Sequence, residues 1–134
     1  MVVYKSISYF RKRLVTLMKA KRGVYATVGD EINREFVGKT IDSIRQNNDM
    51  ILLEGDLVVI KLRLPDKKHR LAKKDGYRLV YLVSKVTPVV VFLDVYPKNG
   101  HMQQLDEDDA TIKQLVSLFI SEGETGTLQD YVIQ

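Results

Sequence analysis

The residues best suited to chemistry are cations set in strand-like sequence. Lys61 and Arg63 stand two apart in Leu57-Val-Val-Ile-Lys-Leu-Arg-Leu. Alternation along a strand puts both on one face, about 6–7 Å apart, with Ile60, Leu62 and Leu64 on the other. In Tyr77-Arg-Leu-Val-Tyr-Leu-Val the same rule groups Arg78 with Val80 and Leu82, opposite Tyr77, Leu79 and Tyr81. Arg78 joins Lys61 and Arg63 if the two strands pair in the matching register. Three cations on one sheet face form an anion site, whereas such a face is as commonly just solvated by Lys and Arg. Tyr77 and Tyr81 read as core aromatics rather than as platforms for stacking bases. Beyond the next strand, Lys98-Asn-Gly-His adds Lys98 and His101. Imidazole is the side chain best matched to moving a proton near neutral pH. Between the first two strands a polar loop carries Lys67, Lys68, Arg70, Lys73 and Lys74 as candidate phosphate contacts, with His69 either among them or idle.

The whole chain of 134 residues, net charge +4 and pI near 9.2, is only moderately basic, but its charge is unevenly spread. From Lys61 to Arg78 there are eight Lys/Arg against Asp66 and Asp75; from Val2 to Gly29 there are seven against no acid. From Gln103 to Gln134 there are seven Asp/Glu against Lys113. An acidic segment therefore follows a basic centre. Without Cys there is no disulfide framework, thiol nucleophile or Cys-type zinc site, and two separated His make a poor metal set, so no metal and no cofactor are expected. No apolar run approaches the roughly 20 residues of a membrane-spanning helix, and the opening residues lack the pattern of a secretory leader. A cytoplasmic protein with no membrane partner is expected.

These residues need elements to hold them. Residues 2–6 suggest a short strand. Tyr9, Phe10, Leu14, Leu17 and Met18 then recur at helical spacing, predicting a basic amphipathic helix over about 8–20. A second helix is expected from an N-cap near Asp30 through Phe36 to Ile44, or two short helices divided at Gly38. A polar link at 46–49 leads to strands at 50–53 and 57–64, a loop closed by Gly76, then strands at 77–83 and 89–96. The last strand is nearly all apolar, as for one covered on both faces. Asp106 is the candidate N-cap of a final helix over 106–121, with Ile112, Leu115, Val116 and Phe119 inward. The sum is one α+β domain over 1–122 with a polar tail over 123–134, frayed in its plainer reading. In the other reading the acidic C-terminal segment screens the basic site.

The ordered string Ile60-Lys-Leu-Arg, Gly76-Tyr-Arg-Leu-Val-Tyr and Val90-Val-Phe-Leu-Asp-Val-Tyr-Pro-Lys-Asn resembles the RelE/ParE superfamily of toxins from type II toxin–antitoxin systems. The likeness runs over about 40 residues, from roughly Val58 to Asn99. It implies N-terminal helices packed on an antiparallel β-sheet with a C-terminal helix. For the ribonuclease branch it implies an mRNA interferase that cuts mRNA on the ribosome without a metal, by attack of a ribose 2′-hydroxyl on the adjacent phosphate. By position, Lys61, Arg63, Arg78 and Lys98 correspond to that branch's basic residues. Arg78 and Lys98 would stabilise charge at phosphorus, Lys61 and Arg63 would hold the phosphate or perturb a proton-transferring group, and His101 would move the proton. The partners implied are mRNA, the ribosome and a cognate antitoxin protein. Two further readings are a gyrase-inhibiting toxin of the ParE branch and a catalytically silent binding module of the same fold.

Overall fold

Alternating strands joined by two short turns and the longer 65–76 loop form an antiparallel meander, and that meander is the centre of the protein. The computed structural model describes residues 1–46 and 50–134, without the side chains of 52–54; most of the expected polar link at 46–49 lies outside them. Strands β2 (Met50–Glu54), β3 (Leu57–Leu64), β4 (Tyr77–Ser84) and β5 (Val89–Pro97) pair in sequence order, each antiparallel to the next. Gly76 opens β4 because a β-carbon there would lie 2.1 Å from the Leu64 carbonyl oxygen. That contact is a physical reason for the glycine of Gly-Tyr-Arg.

The sheet is mixed rather than wholly antiparallel. β1 (Val3–Ser6) lies parallel to β5, and β6 (Gln129–Asp130) completes six strands in the order β2-β3-β4-β5-β1-β6. The parallel register sets Ser6 opposite Phe92. The chain thus enters helix α1 (Ser8–Met18) where Phe10 stacks on Phe92 at 5.4 Å between ring centroids. Helices α2 (Val28–Phe36) and α3 (Ile41–Arg45) are the two short helices allowed by Gly38. Thr27 rather than Asp30 occupies the N-cap of α2, and Thr40 caps α3 by accepting from the Ser43 amide.

Phe36 meets Tyr81 and Phe92 edge-on, and Tyr25 meets Tyr77, so the segment carrying α2 covers the face that bears Tyr77, Leu79 and Tyr81. The opposite face, with Val59, Val80, Leu82 and Val91, is buried as well. Helix α4 (Asp109–Thr125) lies against β5 with Ile112, Leu115 and Val116 buried. Its N-cap is Asp108, which accepts from the Thr111 amide at 2.8 Å, not Asp106.

The residues read as a polar tail are structured. α4 runs on to Thr125, β6 pairs with β1, and the Tyr131 ring sits 4.9 Å from Phe92 and 5.6 Å from Phe10. A frayed end is corrected to an edge strand followed by an aromatic anchor. The reason is that Tyr131 finds an apolar socket between two phenylalanines, a long-range contact that local composition does not encode.

Candidate phosphate site

Register decides whether the cations can act together. Arg63 pairs directly with Arg78, and Lys61 pairs with Val80. Directly paired residues share a sheet face, so Lys61, Arg63 and Arg78 lie on one side. Arg78 in turn pairs with Tyr96 on β5. The turn after β5 then delivers Lys98, whose amide bonds the Gly76 carbonyl at 2.9 Å.

Three of the four cations meet at one carboxylate. Asp106 Oδ2 accepts from Lys61 Nζ at 3.1 Å, and its Oδ1 lies 3.2 Å from Lys98 Nζ and 3.7 Å from Arg78 Nε. Partial burial alone would raise the Asp106 carboxyl, but the hydrogen-bonded ammonium groups of Lys61 and Lys98 hold it below the usual carboxylate value. The residue read as a helix cap is instead the counter-ion of the basic cluster.

The cations differ in freedom. Arg78 is 5% exposed, and its guanidinium is tied to the carbonyls of Lys73 (3.0 Å), Lys74 (2.8 Å) and Tyr77 (3.2 Å). Those bonds occupy both terminal nitrogens, and Nε has no hydrogen-bond partner. Arg78 therefore braces the loop before β4 and offers its charge, rather than an open fork, to an anion. Lys61 and Lys98 each keep about a fifth of their side-chain surface open. Arg63 is exposed and has no ion-pair partner among the described residues.

His101 is not part of this cluster. It packs beside the Tyr25 ring, 5.6 Å between centroids, and Tyr25 belongs with Tyr77 on the face opposite Arg78. One residue of alternation separates the two sides: Tyr77 points one way and Arg78 the other. The loop cations are likewise divided. Lys67, Lys68, Arg70, Lys73 and Lys74 are all exposed, but Lys68 Nζ reaches back to the Gly23 carbonyl at 2.5 Å, on the side of His101.

Beside the cluster lies a carboxyl pair, Asp94 buried and Glu107 half-buried, that residue spacing did not reveal. Asp94 is fully buried and meets Arg13 Nε at 3.3 Å. Register shifts between Val80 and Tyr81, whose partners are Asp94 and Phe92; the extra residue, Leu93, marks a bulge just before Asp94. Burial first, and then the Asp94 charge, push the Glu107 carboxyl up to about 8, and burial raises Asp94 as well. The pair holds a proton at neutral pH. The signal in the sequence was Asp94 itself, the one charged residue in an otherwise apolar strand.

Among the described residues, no group of three or more His, Asp or Glu is placed to hold a metal ion, and no helix is long and apolar enough to cross a membrane. Chemically, the arrangement can bind an oxyanion where Asp106 now sits. Comparison with known proteins gives neither a matching family model nor a matching curated relative for this chain.

Proposed function

We propose that this protein acts on RNA as a metal-independent endoribonuclease of the RelE/ParE toxin type, an mRNA interferase. The single observation behind this reading is the convergence of Lys61, Arg78 and Lys98 on the carboxylate of Asp106. A carboxylate bound by several cations marks a position suited to a phosphate, since both are oxyanions that accept charge-assisted hydrogen bonds. In this reading RNA displaces Asp106. Lys61, Lys98 and the exposed Arg63 then contact the phosphate, while the braced Arg78 supplies field and position. A ribose 2′-hydroxyl attacks phosphorus as its proton passes to solvent, and the 5′-oxygen leaves and takes a proton from solvent, giving a 2′,3′-cyclic phosphate and a 5′-hydroxyl. Stabilising negative charge on the phosphoryl oxygens is the main catalytic demand, and fixed cations meet it.

The partners on this reading are mRNA, on the ribosome, and an antitoxin protein that holds the basic face when the toxin is idle. The position of His101 on the opposite side of β4 favours a second reading, a binding module of the same fold, gyrase-directed or otherwise silent, that lacks a proton-transfer group at the cluster. Inducing the protein in cells, mapping new RNA 5′ ends and assaying DNA supercoiling separates these readings. New 5′ ends that vanish in Lys61→Ala/Lys98→Ala support the ribonuclease. Relaxed DNA without new ends supports the gyrase-directed protein, and neither change leaves the silent module.

A further inference from the structure

Both histidines of the chain, 32 positions apart in sequence, line one pocket of about 450 Å³. The other lining residues are Lys21, Arg22, Val24 and Lys68. Among the described residues no carboxylate lines it. Asp66 is 4% exposed and turned onto His69, whose Nδ1 lies 2.7 Å from Asp66 Oδ2. An imidazole held this way by a carboxylate presents its other nitrogen outward.

The walls are built. Tyr25 Oη donates to the Asn99 carbonyl at 2.8 Å and accepts from the Met102 amide at 3.1 Å, fixing the turn that carries His101. That turn passes so close that a β-carbon on Gly100 would lie 2.4 Å from Tyr25 Oη. On the other wall, Asp66 also accepts from the His69 amide. Among the described residues the two non-glycine positions with left-handed backbone are Arg22 (φ 61°) and Arg70 (φ 57°). One lines the pocket and the other follows His69. Such a conformation is disfavoured for a residue with a β-carbon, and strain of this kind gathers where a site requires it.

We propose that this pocket is a nucleotide-sized phosphate site, separate from the Asp106 cluster, that takes one phosphate-bearing residue of RNA. Lys21, Arg22 and Lys68 supply positive charge. His101 supplies a ring N–H donor, and His69, whose Nδ1 proton is held by Asp66, donates from Nε2 as the imidazolium that a bound phosphate favours. Val24 supplies the apolar ground that a base or ribose needs. The site goes beyond the proposed cleavage: it is a second contact for the strand, and it stands whether or not the protein cuts RNA.

Because the two histidines both line the pocket, imidazole NMR signals report on it alone. The full chain is titrated with uridine, uridine 5′-monophosphate, inorganic phosphate, and a short oligoribonucleotide with and without a 5′-phosphate. Saturable shifts of both ring signals with the monophosphate, and none with uridine, are expected. A response to the oligonucleotide only when it is 5′-phosphorylated assigns the site to strand ends; an equal response to both forms assigns it to internal phosphates. Arg22→Ala and Lys68→Ala should each weaken the monophosphate response about tenfold, while Lys98→Ala should leave it unchanged. Rings that stay still with every phosphate ligand, or that move equally with uridine, would overturn the site. Since the readout is a binding shift at the histidines, its failure is distinct from a failure to find RNA cleavage.

Discussion

The two basic regions of this protein flank the same end of the sheet and differ in what faces them. On one side Lys61, Arg78 and Lys98 surround a carboxylate supplied by the chain itself. On the other, Lys21, Arg22, Lys68 and two histidines line a pocket that, among the described residues, no carboxylate lines, Asp66 being turned onto His69. The first is internally neutralised and the second is open, so the same kind of ligand must displace Asp106 in one case and simply enter in the other. Charge density alone does not predict binding; the counter-charge already in place does.

The largest effect that could break this comparison belongs to the open pocket. Gly100→Ala places a β-carbon against Tyr25 Oη and holds a left-handed φ of 87° without glycine. It should lose the two bonds that fix the His101 turn and cost about 2–3 kcal/mol in chemical denaturation. Wild-type stability in that variant would show that the turn is not pinned by Tyr25.

Next is the clamp. Asp106→Asn removes the counter-ion while keeping a similar shape, and RNA affinity should rise about tenfold at low salt, with the gain shrinking as salt is added. Asp106 titrates below its ordinary 3.8, so its ionised form contributes stability above that value and loses it as pH falls through the folded one. At neutral pH the substitution should cost under about 1 kcal/mol, because the pair is half exposed to solvent. Unchanged RNA affinity across the salt series would separate Asp106 from ligand binding.

The carboxyl pair of Asp94 and Glu107 gives a smaller, pH-shaped effect. Glu107 is raised, so the folded state binds the extra proton and its stability falls as pH climbs from the ordinary 4.5 towards about 8. Glu107→Gln carries no such charge to bury. It should raise the melting temperature above pH 8 and change it little near pH 4.5, flattening the profile; a uniform shift at all pH would mean that packing alone is altered. The smallest effect is Arg63→Ala, within about 0.5 kcal/mol in stability and about threefold in RNA affinity, checked by denaturation and by salt-dependent binding.

Much of the cation cluster was legible in sequence because strand alternation is a two-residue rule. Lys61, Arg63 and Arg78 needed only a register, and the register observed is the one that joins them. The α+β class and the paired central strands follow from the same local periodicities. What escaped depends on loops returning. Asp106 looks like a helix cap in an acidic run, yet the chain from Lys98 to Asp108 folds back over the sheet and spends that carboxylate on β3 and β4. His101 lies three residues from Lys98, and a turn pinned by Tyr25 carries it to the other face. The parallel β1 and the docked Tyr131 were hidden for a related reason: four-residue and two-residue strands carry little periodicity, and their partners lie far along the chain.

That last pairing also bears on the order of folding. Lys5 and Asp130 are 125 positions apart and meet across β1 and β6 through an ion pair of 2.7 Å. The β3–β4–β5 meander closes through local loops and can nucleate alone, whereas this edge must gather nearly the whole sequence before any contact rewards the lost chain entropy. Zippering therefore runs from the middle of the sequence outward. The two-residue β6 seam is the last to form and the first to open, and its amides should exchange with solvent deuterium well before those of β4.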